Sequence, residues 1–146
     1  RQIASGSPVF ERFVIEPLLR AKAVLDEGGA DLVLHDCGEL TAPMVEALAS
    51  RVRPAVLSFG SSRRLWEDAA VVPKDVVLFG NLPTKHFYSD ETLPMEAVRS
   101  MTRDLVERMR ATAHPFILGS ECDVLHVAGA GDTIRRKVEA MLTEAA

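Results

Sequence analysis

The stretch LVLHDCGEL, residues 32–40, runs three aliphatic residues into His35-Asp36-Cys37-Gly38. Aliphatic runs this short, bounded by turn residues, read as strands buried on both faces. Side chains at i and i+2 of a strand point the same way, so His35 and Cys37 can face one point in space. Imidazole and thiolate are both zinc ligands. Three readings stand at this point: a metal site, a catalytic Cys–His pair, or a strand carrying a buried cysteine, since cysteine is among the most buried residue types.

The same pattern recurs along the chain. A strand over residues 31–35 is followed by AVLSFGS, ending near Ser58, then by DVVLFGN, ending at Gly80-Asn81, and by FILGSECDV. Helical spacing separates them. Ser7-Pro8 starts a helix that runs to about Glu27, with Phe10, Phe13, Val14, Leu18, Ala21 and Leu25 at helical intervals. Pro17 lies inside it, which predicts a kink or two shorter helices. Gly28-Gly29 ends the run. Thr41 with Pro43 opens a second helix reaching about Arg51, and RRLWEDAA reads as a short one in which Trp66 packs on the sheet. Pro94 starts a long amphipathic helix carrying Val98, Met101, Leu105 and Met109 on one face, stopped by His114-Pro115. His114 is expected as a cap or a surface residue. Asp132 is expected to cap the last helix. Four strands, each followed by a helix, predict an α/β fold with a parallel sheet.

Each strand ends in a polar or glycine-containing group: His35 to Gly38, Ser58 to Ser61, Gly80-Asn81, and Gly119 to Cys122. Ligands bind at this C-terminal edge in parallel α/β sheets and barrels. If the first and fourth strands curve together, His35, Cys37 and Cys122 converge. Three such ligands leave a fourth zinc position open, as in catalytic sites. Glu121 and Asp36 flank the ligands; Glu121 is the favoured fourth ligand or imidazole partner. The loop LPTKHFYSDETL is long enough to act as a lid, which makes His86 a candidate substrate contact. Gly129-Ala130-Gly131-Asp132 is too short for a dinucleotide fingerprint.

Composition narrows the partners. The 146 residues are 47% hydrophobic and 26% charged, with a formal net charge of −4. One domain with a real core fits this length. No basic patch points to nucleic acid or anionic membrane. No apolar run reaches the roughly 18 residues that span a bilayer, and no signal peptide opens the chain, so a cytoplasmic protein is expected. The two cysteines are then expected as reduced thiols. Arg1 is not a natural start, and the opening RQIASG suggests the interior of a longer chain.

The HDCG ending, the Gly80-Asn81 ending and FILGSECDVLHVAGAGDTIRRKVEAM together resemble the C-terminal half of the uroporphyrinogen decarboxylase superfamily, over nearly the whole chain. The nearer likeness is to its methylcobamide:coenzyme M methyltransferase branch. That resemblance implies a domain over residues 1–146 built as the C-terminal half of a (β/α)8 TIM barrel. It implies zinc held by His35, Cys37 and Cys122, and a methyl group moved from a methylated corrinoid protein to a zinc-activated thiol. The implied cofactors are zinc and a corrinoid carried by a partner. Ser58, Asn81 and His86 are expected at the substrate, and Glu121 in the chemistry. The missing N-terminal half, or a second copy of the chain, is expected to complete the barrel. The family's decarboxylases lack the H-x-C pair and carry G-H-G where this chain has Gly119-Ser120-Glu121-Cys122; cofactor-free tetrapyrrole decarboxylation is the alternative, and a non-catalytic half barrel a further one. After Gly80-Asn81 this chain reads Leu82-Pro83-Thr84, where the family often has an aspartate-proline turn.

Overall fold

A computed structural model describes residues 4–145. Four short strands form one parallel sheet in the order β1-β2-β3-β4: Val33–Asp36, Val56–Phe59, Val77–Leu82 and Phe116–Ser120. Each new strand is added beside the last, with no reversal. Right-handed crossovers then place every helix on the same face, the arrangement of a βα barrel and not of a doubly wound sheet. The structure is therefore an α/β half of a TIM barrel.

Strand alternation assigns the two faces. Leu34, Leu57, Leu78 and Phe116 form one register row, and the core lies on that side, with Val45, Ala49, Leu65, Leu105, Met109 and Met141 packed in the same cluster. His35, Ser58, Phe79 and Ile117 form a row on the other face. That face is open at its edges: Val33 is 63% exposed and Ile117 46%. Among the described residues, no helix is long and apolar enough to cross a membrane.

The first helical run is continuous over residues 8–27. It comprises α1 (Pro8–Phe10), a π-helical stretch Glu11–Ile15, and α2 (Glu16–Glu27). Ser7 caps it as expected, its hydroxyl accepting from the Phe10 amide at 3.1 Å. Helical residues continue through Pro17 without a break. The preceding π turn, closed by the Glu16 amide on the Glu11 carbonyl, takes up the bond and the space that proline denies an α-helix. A second π stretch, Leu48–Val52, extends α3 (Ala42–Ala47) and ends at Arg53 in the left-handed region. Phe10, Ile15, Met44, Leu48 and Val52 bury the contact between these two helical runs.

The remaining helices are α4 (Leu65–Asp68), α5 (Met95–Thr112) and α6 (Gly131–Glu144). Trp66 packs against the core and also receives the Arg108 guanidinium of α5, 4.8 Å from its ring centre. His114 is buried, contrary to expectation. Ala113 turns left-handed at φ 49°, which swings His114 inward so that its Nε2 lies 2.9 Å from the Val76 carbonyl. Asp132 is not the cap of α6: Ala130 holds that position without a side-chain bond, while Asp132 sits in the first turn and pairs with Arg135 at 3.1 Å. The last strand is shorter than FILGSECDV suggests. Beyond Ser120 there is no partner to continue with, because β3 ends at Leu82.

Two predictions follow from the packing. A Cβ on Gly119 would meet the Phe79 ring at 2.2 Å, so that glycine is required by the close approach of an aromatic on the neighbouring strand. Gly119→Ala should destabilise by about 1–3 kcal/mol in urea unfolding, the usual cost of overpacking, and Phe79→Ala in the same chain should recover much of it. The second concerns acid. Arg99 at 2.5 Å and Arg103 at 2.8 Å tie Glu144 of α6 to α5, and their hydrogen bonds hold its carboxyl below its ordinary value near 4.5. The unfolded chain takes up that proton first, so the contribution is complete above about pH 4.5 and is lost as pH falls through the lowered folded value. Glu144→Gln should flatten this part of the stability–pH curve.

Candidate metal centre

The site lies where β1 and β4 leave the sheet. At the end of β1 the Asp36 carboxylate accepts the Gly38 amide at 2.7 Å, a local turn that redirects the chain straight after Cys37. Across from it, Gly60 has no Cβ; one built there would lie 3.2 Å from the Cys37 Cα. A bare backbone at the end of β2 thus lets Cys37 settle against it. At the end of β4 the chain is pinned on both sides of Cys122. The Glu121 amide donates to the Leu82 carbonyl at 2.8 Å, and the Thr84 hydroxyl donates to the Asp123 carbonyl at 3.1 Å.

The outcome is convergence. The ligand atoms of His35, Cys37 and Cys122 all lie within 4.8 Å of one another. β1 and β4 are the two edges of the sheet, and three strand spacings of about 4.8 Å would hold them about 14 Å apart if it were flat. Curl of the sheet, with the inward bend at Cys122, closes that distance. Donors at about 2.0 Å (nitrogen) and 2.3 Å (sulfur) from one tetrahedral ion sit a little under 4 Å apart. Small side-chain rotations reach this from the observed spacing. An imidazole with two thiolates is a soft donor set that suits zinc.

Ser58 supplies the imidazole's other contact. His35 Nδ1 lies 2.9 Å from Ser58 Oγ, and the two residues are register partners on adjacent strands. A cavity of about 310 Å³ opens beside them, with Val33 and Phe79 as apolar walls and Ser120, Cys122 and Asp123 at its rim.

The other candidate residues fall elsewhere. The Glu121 carboxylate is buried and turned to Ser61, accepting its hydroxyl at 2.5 Å and its amide at 3.3 Å; the imidazole's partner is Ser58. Asn81 does not line this cavity. Its amide nitrogen donates to the Gly60 and Arg63 carbonyls, both at 2.8 Å, and so clamps the loop after β2. His86 is exposed, on a short 3-10 turn at Thr84–His86, and is absent from the cavity wall. Its loop is fastened rather than hinged: the fully buried Lys137 of α6 donates to the Ser89 carbonyl at 2.8 Å and the Leu93 carbonyl at 2.6 Å, and pairs with Asp90 at 3.0 Å.

Arg63 and Asp68 escaped the sequence reading. Arg63 pairs with the buried Asp68 and donates to the Leu40 carbonyl at 2.8 Å, which joins the loops after β1 and β2. Nothing in RRLWED marks Arg63 over Arg64. Ser58 did carry a signal. Val33-Leu34-His35, Val56-Leu57-Ser58 and Val77-Leu78-Phe79 are three copies of one V-L-x pattern, and laying them side by side reproduces the observed register.

As a clamp, Asn81 predicts that Asn81→Ala should cost about 1–3 kcal/mol of stability with no substrate present, because one buried and one partly buried carbonyl lose their donor. Equal unfolding midpoints for the variant and the parent chain would refute the clamp.

A sequence model of the uroporphyrinogen decarboxylase (URO-D) family matches residues 6–143. No curated protein matches the chain.

Proposed function

We propose, for a chain that belongs to the uroporphyrinogen decarboxylase family, the role of the metal-carrying half of a corrinoid-dependent methyltransferase barrel. The observation that supports this reading is the meeting of His35, Cys37 and Cys122 within 4.8 Å. Decarboxylation without a cofactor gives no use to two thiols and an imidazole gathered at one point.

The three residues would hold zinc. Bound there, zinc would leave a position for a substrate thiol and lower its pKa, making the thiolate nucleophile available near neutral pH. The residues of the chain do the rest. Val33 and Phe79 line the cavity with apolar surface beside the metal-binding residues. Ser58 orients the imidazole. The clamps on the loops after β1, β2 and β4 hold the ligand backbones at fixed separation, so little reorganisation accompanies binding. A methylated corrinoid brought by a partner protein would supply the methyl group and keep the electron pair of the bond it gives up, and the thiol held at His35, Cys37 and Cys122 would receive the methyl group on sulfur.

This reading implies a corrinoid protein and a small thiol as partners, and a further (βα)4 unit over the open face. Glu121, buried beside Cys122 and bonded to Ser61, is placed to keep the Cys122 turn in position.

The reduced protein should take up about one zinc per chain, as one three-ligand site requires, and Cys37→Ala or Cys122→Ala should each remove most of it. The full-length parent should move a methyl group from methylcobalamin to a small thiol in a zinc-dependent way. No zinc uptake by the reduced full-length protein, together with turnover of a porphyrinogen, would replace this reading with the decarboxylase.

A further inference from the structure

We infer that Ser58 is a positioning residue that accepts the Nδ1–H of His35 and so leaves Nε2 as the nitrogen for a metal; the metal part of this inference rests on the proposed zinc site, and the observation beneath it is the 2.9 Å contact between Nδ1 and Ser58 Oγ.

The register of β1 against β2 places Ser58 directly opposite His35 on the inner face of the sheet. Its hydroxyl lies 2.9 Å from Nδ1. Ser58 is 5% exposed, and its next register partner is Phe79, whose ring spreads over Gly119. Ser58 is thus largely shielded from water, and it lines the cavity beside His35. A neutral imidazole has one donor nitrogen and one acceptor nitrogen, and the bond made by one decides the role of the other. With Nδ1–H donating to Ser58 Oγ, Nε2 keeps its lone pair and becomes the nitrogen available to a metal. The opposite tautomer would put a proton where the ion has to sit.

The choice of a hydroxyl also bears on charge. Many metal-bound histidines lean on a carboxylate, which makes the ring more basic and adds negative charge beside the ion. Two thiolates already balance the two charges of zinc. A serine orients the ring without adding a third negative group, so a bound thiolate substrate does not face an extra anion.

The test uses the full chain in reduced, metal-free form and zinc chloride as the probe. Long-range proton–nitrogen NMR of His35 should show the Nδ1-protonated tautomer in the parent chain. In Ser58→Ala the Nε2-protonated form should appear. Competition with a chromophoric chelator should then give zinc affinity about 10–100-fold weaker for Ser58→Ala, the usual effect of losing such a partner. Ser58→Thr, which keeps the hydroxyl, should restore both the tautomer and the affinity. A purely structural serine would leave the tautomer unmoved, and that result would overturn the inference. An Nε2-protonated ring in the parent chain would overturn it too, whether or not zinc binds. Parent chain and Ser58→Ala binding zinc equally would overturn the positioning role while leaving the zinc site in place. Failure of the parent chain to bind zinc, with the expected tautomer change intact, would remove the proposed function and keep the role of Ser58 in orienting the ring.

Discussion

The structure depends on curl in a four-stranded parallel sheet. Its strands follow one another in simple order, so the first and last in the chain are also the two edges. A flat sheet would keep their ends about three strand spacings apart. Curled with the helices outside, it turns those ends toward a common interior, and residues 37 and 122 meet although most of the chain lies between them. The apolar row Leu34, Leu57, Leu78 and Phe116 keeps the helices on the convex side. The polar ends of the strands gather on the concave side as a result.

Curl brings the ligand-bearing segments together; loop contacts fix them. Asn81 binds the backbone of the loop after β2 at two points. Arg63 joins that loop to the one after β1 through the Leu40 carbonyl, and it is oriented by an aspartate buried beneath it. Thr84 and Leu82 hold the turn that carries Cys122. Each contact satisfies a main-chain carbonyl or amide of these segments. The same bonds therefore serve both stability and the placement of His35, Cys37 and Cys122. An arrangement of this kind is needed wherever side chains must be held to within a fraction of an ångström.

Much of this was legible in the residues. Aliphatic triplets ending in polar groups marked the four strands, and His35, Cys37 and Cys122 announced themselves by residue type and by their place at strand ends. What escaped were contacts whose partners are set by register or by loop path. Asn81 looked like a substrate contact because it ends a strand, but its amide turns to backbone carbonyls that no pattern in the sequence points to. Glu121 neighbours a ligand in the chain, yet one residue further along a strand end is a different direction in space, and it faces Ser61. Pro17 signalled a break, and a widened turn absorbed it. Propensity rules describe the ordinary helix, and a π turn is the exception that removes their premise.

Lys137 fixes the loop after β3. Its ammonium is out of reach of water and shares its donors among Ser89, Leu93 and Asp90. Swinging that loop away would strand a buried charge, which is far more costly than the motion of an ordinary surface loop. The loop after β3 is thus held in place and is not a gate.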